Sequence, residues 1–166
     1  MRQQDEINID PVELRNVLGC FATGVAVVTT LGIDGGPVGM TVNSFSSVSL
    51  DPPQILWSLA LKAPSRPAFR AHPGFAVNIM PAEAKEETLQ FARPSEDKFR
   101  GIDWRPGLHG VPVLACAIAT LECATDRIIE SGDHEIYIGG VHSIGRTGGM
   151  PLIFHQGRFA DLGQAL

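Results

Sequence analysis

Between Gly39 and Pro53 the chain places six small hydrogen-bonding side chains, Thr41, Asn43, Ser44, Ser46, Ser47 and Ser49, within nine residues. Hydroxyls and amides of this size donate and accept, so they suit a ligand that offers carbonyls, ring nitrogens or phosphate oxygens. Apolar Met40, Val42, Phe45 and Val48 interleave with them. One side of such a segment can pack into a core while the other presents a polar edge. The alternation slips at Asn43-Ser44 and at Ser46-Ser47, which predicts a bend or loop inside the strand. Asp51-Pro52-Pro53 then ends it. The plainer alternative is a strand followed by a serine-rich turn.

Three further places carry chemistry. Gly132-Asp133-His134 puts an imidazole at a turn, Ser65 stands at a helix start with Lys62 just before it, and Lys98-Phe99 sets a cation beside an aromatic ring. Each has a structural alternative: a turn histidine with a satisfied hydrogen bond, a helix cap, or a solvated lysine beside a core phenylalanine. Other chemistries lack their residues. His134-Glu135 opens like H-E-x-x-H, but Ile138 occupies the second ligand position, so no zinc site forms there. His134 and His142 could share a strand face, without an evident third ligand. There is no G-x-G-x-x-G, P-loop or G-x-S-x-G, so a dinucleotide would not be held by a Rossmann unit. Trp57, Trp104 and Phe45 could stack on a ring, although such residues more often fill cores.

The elements that must position these residues are short strands and turns. Asp10-Pro11-Val12-Glu13 starts a helix, with Val12, Leu14, Val17, Leu18 and Phe21 at helical spacing for a barrel end or a partner. Ala22 to Leu31 is a β-branched strand, and Asp34-Gly35-Gly36 turns it into a hairpin with the serine-rich strand. Gln54 to Leu61 and Gly74 to Met80 read as strands, Pro64 to His72 and Glu83 to Phe91 as short helices. Ser95-Glu96-Asp97 caps a helical turn, and a loop begins at Ile102. Val113 to Thr125 reads as one long apolar strand. A hairpin follows around Gly132-Asp133, and Pro151 to His155 and Arg158 to Leu162 close the chain. Seven or eight strands with three or four helices and no repeat or linker predict one closed β-barrel with helical covers.

At 166 residues the chain is one domain over 1–166, with residues 1–9 a loose segment. A net charge of −5 argues against a nucleic-acid surface. No apolar run is long enough to span a bilayer, and Met1 to Glu6 is unlike a secretion signal. Cys20, Cys116 and Cys123 show no C-x-x-C, so reduced thiols in a cytoplasmic protein are expected.

The run Thr-x-Asn-Ser-Phe-x-Ser-Val-Ser-x-Asp-Pro-Pro resembles the flavin-binding signature of the flavin reductase-like split-barrel proteins. Phe75-Ala76-Val77-Asn78-Ile79-Met80, Lys98-Phe99, Gly132-Asp133-His134 and Pro151-Leu152-Ile153-Phe154 match the same family in order, so the resemblance runs roughly from Phe21 to Phe159. It implies a mainly β, closed antiparallel split barrel of the Greek-key, FMN-binding type, with a few short covering helices. It implies a reductase that passes hydride from NADH or NADPH to FMN or FAD and supplies reduced flavin to a partner monooxygenase. Thr41, Val42, Asn43, Ser44, Ser47, Val48, Ser49, Ser58, Lys62, Ser65, Lys98 and Phe99 would line the flavin. His134 would orient the nicotinamide rather than act as an obligatory base. A homodimer is implied, with the flavin near its interface. A non-catalytic flavin- or haem-binding barrel is the alternative, and a pyridoxamine-phosphate-oxidase-like enzyme is a weaker one, lacking an arginine-rich phosphate motif. Two departures stand out. His155-Gln156 replaces the family's aromatic-Arg-Gly run near the end, and Trp57-Ser58 sits where many members carry a small apolar residue and cysteine.

Overall fold

The computed structural model describes residues 9–164. The expected loose segment 1–9 therefore lies almost wholly outside the described residues. The chain runs α1 (Pro11–Gly19), β1 (Thr23–Gly24), β2 (Ala26–Leu31), β3 (Pro37–Val42), β4 (Ser46–Leu50), β5 (Pro53–Ala60), α2 (Arg66–Ala71) and β6 (Gly74–Ile79). A short 3-10 turn (Ala82–Ala84), α3 (Lys85–Ala92), β7 (Trp104–Pro106), a second 3-10 turn (Leu108–Gly110), β8 (Pro112–Leu114), β9 (Ala119–Ser131), β10 (His134–Arg146), β11 (Leu152–His155) and β12 (Arg158–Asp161) complete it.

Seven strands form one antiparallel sheet in the order β3-β2-β6-β9-β10-β5-β4. Inward side chains from six of these strands meet in a single cluster that contains Val28, Val42, Trp57, Phe75, Cys123 and Tyr137. The first strand, β3, and the last but one, β5, can reach a common core only if the sheet curls round, which is the split-barrel architecture expected. Trp57 is its centre: fully buried, stacked on Tyr137 at 4.8 Å and edge-on to Phe69 at 4.9 Å and Phe75 at 5.7 Å. Gly139 is required by this packing, since a Cβ there would lie 2.5 Å from the Phe75 ring.

β2 and β6 are buried along almost their whole length because both their faces are covered. Outside the barrel, Val27 packs with Met80, Phe91 and Leu114 in a second cluster. Ala76 packs under Val111 and Val113. Asn78 is buried between these layers. Its Nδ2 donates to the Val27 carbonyl at 3.0 Å and its Oδ1 accepts from the Leu114 amide at 2.9 Å. Glu122 holds the same cover, accepting from Arg105 at 2.9 Å and from the Leu108 amide at 2.7 Å.

Four sequence expectations change. Val113 to Thr125 is two strands, β8 and β9, broken at Ala115–Ile118, and Ile102 onward contains β7 paired with β8. Ala22 to Leu31 breaks at Val25 into β1 and β2, which join different sheets. Residues 98–101 form turns rather than a helix, although Ser95 Oγ does accept from the Asp97 amide at 3.2 Å. The helix at Pro11 is capped as expected, with Asp10 Oδ1 accepting from the Val12 amide at 3.2 Å, yet α1 buries none of its residues.

Candidate functional site

Three of the sequence-predicted residues converge on one cavity of about 530 Å³. β3 contributes Gly39, Met40 and Thr41, the turn before α2 contributes Ala63 to Ser65, and the C-terminal end of α3 with the following loop contributes Phe91 and Lys98. The volume lies within the range of small-molecule sites, and the wall is apolar with a few polar groups. Gly39 keeps the space open, because a Cβ there would come within 2.8 Å of the Phe91 ring.

The polar groups of this cavity are held from behind. Thr41 Oγ1 donates to the Thr88 carbonyl at 2.6 Å, which fixes the hydroxyl and leaves its lone pairs. Lys98 Nζ donates to the Phe91 carbonyl at 2.7 Å. That carbonyl lies in the last turn of α3, where unpaired carbonyls and the negative end of the helix dipole favour a cation. Burial lowers the Lys98 pKa, and two of its three N–H donors stay free for a ligand. Ser65 precedes α2 in αR conformation and makes no side-chain cap, so the capping alternative is not realised. Among the described residues its hydroxyl has one hydrogen-bond partner, the Met40 sulfur, at 3.4 Å. Phe99 stands behind the cavity, edge-on to Phe91 at 5.0 Å and to Trp104 at 6.1 Å.

The other predicted residues are placed elsewhere. The Val42 side chain is in the barrel core. Asn43, Ser47 and Val48 are exposed along the segment leaving β3, with Ser49 half-buried. The bend expected at Asn43-Ser44 is the break between β3 and β4, whereas the register between β4 and β5 shifts not at Ser46-Ser47 but one step later, between Ser47 and Ser49. Ser44 Oγ is tied to the Ser58 backbone, donating to its carbonyl at 3.1 Å and accepting from its amide at 3.0 Å. Lys62 is exposed. It sits next to Leu61, whose amide donates to the Asp133 carbonyl at 2.9 Å. That bond draws the Gly132-Asp133-His134 turn to the end of β5 from which Ser65 follows. Asp133 Oδ1 lies 2.7 Å from His134 Nδ1. The hydrogen bond from His134 and its charge hold the Asp133 carboxyl below the usual range.

Sequence reasoning missed a buried cluster beside this turn. Glu135 is fully buried, and its Oε1 accepts from Arg66 Nε at 3.0 Å, Arg66 Nη2 at 2.7 Å and Arg70 Nε at 2.6 Å. Tyr137 donates to Oε2 at 3.0 Å. Burial raises the tyrosine's pKa, and the carboxylate adds to the rise. The available signal was an inward position on β10 filled by a carboxylate, opposite arginines four apart on a helix.

No ligand accompanies the chain, and the donor set fits a flavin. Thr41, Ser65 and Lys98 offer hydroxyls and a cation to phosphate or to the ring's carbonyl edge, and Met40, Ala63, Pro64 and Ala68 offer an apolar bed. Among the described residues there is no group of three His, Cys, Asp or Glu arranged for a metal, and no helix is long and apolar enough to cross a membrane.

The FMN reductase (NADH) SmoA of Agrobacterium fabrum is 42% identical over 145 residues, covering 87% of this chain and 82% of that protein. Stachydrine N-demethylase reductase subunit Stc3 of Rhizobium meliloti is 39% identical over 90% of this chain and 65% of its own length. A further Rhizobium meliloti relative is covered over only 48% of its length, so the chain spans about half to two thirds of these two curated relatives. Among solved structures, the Streptomyces globisporus NADH:FAD oxidoreductase SgcE6 superposes with a TM-score of 0.87 at 40% identity, over 95% of this chain and 92% of that one. The family model described as the flavin reductase like domain matches residues 18–163, and the chain belongs to that family.

Proposed function

We propose that this chain is an NAD(P)H-dependent flavin reductase that delivers reduced flavin to a separate monooxygenase. The observation that carries the reading is the convergence of Thr41, Ser65 and Lys98 on one cavity, at the end of β5 to which the Asp133–His134 turn is tied. Relatives named as an FMN reductase using NADH and as the reductase component of a trigonelline monooxygenase support the reaction and the oxygenase partner. A bound flavin would supply the hydride-accepting chemistry. Thr41, Ser65 and Lys98 would hold it through a fixed hydroxyl, a free hydroxyl and a partly desolvated cation. The exposed Asn43 and Ser47 and the half-buried Ser49, with Lys62 beyond them, would contact its periphery. His134 would orient the nicotinamide, with its ring set by Asp133. Contacts of this kind are few and solvent-reachable, which suits a flavin that must leave.

A homodimer is part of the proposal. α1 leaves Val12, Val17 and Leu18 exposed, Phe21 just beyond it is 79% exposed, and Leu50 and Ile144 are also bare. Three free thiols suit a cytoplasmic setting. The test is NADH and NADPH oxidation followed with FMN and with FAD. Flavin-dependent turnover with release of reduced flavin is expected. Tight stoichiometric pigment without turnover would instead favour a non-catalytic flavin or haem carrier.

A further inference from the structure

α2 is six residues long and has no side-chain cap, too short to hold itself in place. Two features fix it. Phe69 plugs into the barrel core against Trp57 and Tyr137. On another side, Arg66 and Arg70, one turn apart, both close on Oε1 of Glu135. Ser65 and Ala68 line the cavity.

The clamp has more charge than neutralisation needs. One guanidinium would balance the Glu135 carboxylate; two are spent on a single oxygen, while Tyr137 takes the other. Buried ion pairs are poor stabilisers compared with packed apolar side chains of the same size, because desolvation offsets the attraction. In some proteins such buried ionic groups instead serve to fix one geometry. β10 is a firm reference for that geometry, since it is paired to β5 on one side and β9 on the other at this level. Glu135 is also the residue after His134.

We propose that Glu135 is a positioning residue: acting through Arg66 and Arg70, it sets the Ser65 wall of the cavity at a fixed place relative to His134. The role rests on the flavin reductase reading. With the clamp released, α2 pivots on Phe69, Ser65 moves, and flavin binding weakens while the chemistry at saturation persists.

The experiment is steady-state kinetics of the full chain with flavin and NADH varied in turn, beside melting curves and far-UV circular dichroism. Glu135→Gln should raise the flavin KM about tenfold, with kcat at saturation within about twofold of wild type. Glu122→Gln is the matched control: it disrupts the other buried carboxylate–arginine contact, holding Arg105 and the Leu108 amide on the far cover. It should lower the melting temperature and leave the flavin KM unchanged. Should Glu135→Gln not fold, Arg70→Lys keeps the charge, loses the fork, and carries the same expectation. An unchanged flavin KM in the folded Glu135 or Arg70 variant, or an equal rise in the Glu122 control, overturns the positioning role alone. A wild-type chain with no flavin-dependent NADH oxidation overturns the reductase reading and the positioning role with it.

Discussion

The hydroxyl of Ser44 donates to the Ser58 carbonyl at 3.1 Å and accepts from the Ser58 amide at 3.0 Å. The β4–β5 register pairs Ser46 with Leu56, so a continued ladder would bring residue 44 opposite residue 58. A side chain therefore does the work of a backbone pair just before the edge strand begins. Ser44→Ala should cost about 1–3 kcal/mol, because two half-buried backbone groups lose their partner. Denaturant unfolding should show a lower midpoint with an unchanged slope. An unchanged midpoint would mean that solvent replaces the hydroxyl at no cost.

That bond marks the boundary of what the sequence discloses. Strand periods, the Asp34-Gly35-Gly36 turn and the Asp10 cap are local patterns, and they were legible with nearly the right limits. So was the family, because its signature is contiguous. The chain break at Ala115–Ile118 was not, since it turns without glycine, proline or asparagine. The roles of Ser44, Asn78 and Glu135 were hidden for a different reason. Ser44 reads as a ligand-binding hydroxyl until the register of a neighbouring strand assigns it to Ser58. Glu135 reads as a failed zinc motif until α2 arrives from 65 residues away to supply its partners. Of the predicted flavin contacts, those that converge on the cavity come from three separate segments. Their convergence is a property of the fold and not of spacing.

Gly39 tests the cavity itself. A Cβ at this position would stand 2.8 Å from the Phe91 ring and 3.3 Å from Phe99. Phe91 also supplies the carbonyl that holds Lys98. Gly39→Ala should displace Phe91 and Lys98 together, destabilise by about 1–3 kcal/mol, and raise the flavin KM several-fold. Flavin titration and thermal melts of the variant check both effects. A flavin affinity equal to wild type would place the binding site elsewhere.

Acid should loosen the α2 clamp. Burial by itself would raise the Glu135 pKa, but hydrogen bonds from Arg66, Arg70 and Tyr137 prevail and bring it from 4.5 to about 2. A carboxylate whose folded value lies below its unfolded value stabilises the fold above the unfolded value. That contribution, about 3 kcal/mol, is lost as pH falls from about 4.5 toward 2. Stability measured by urea unfolding should therefore drop across this window in wild type and drop less in Glu135→Gln. Parallel curves for the two proteins would show that other carboxylates dominate the acid limb.

On the proposed reading, the Asp133–His134 pair would act on binding of the nicotinamide and not of the flavin. An aspartate is ionised at neutral pH in any case, and the hydrogen bond and charge of the imidazole beside it hold the Asp133 carboxyl lower still. With Nδ1 turned to that carboxylate at 2.7 Å, Nε2 is the nitrogen left to meet a substrate. The side chain is 46% exposed, so it is reachable from solvent. Hydride transfer to a flavin asks for alignment more than for a base, so losing an orienting contact should raise the NADH KM about tenfold and lower kcat less. His134→Ala should show this pattern with a flavin KM near wild type. Asp133→Asn should give a weaker version of it, since the ring keeps its place on β10 but loses the charge that orients it. The two variants, measured with NADH and flavin varied separately, check the assignment. A rise confined to the flavin KM would move His134 from the nicotinamide side of the site to the flavin side.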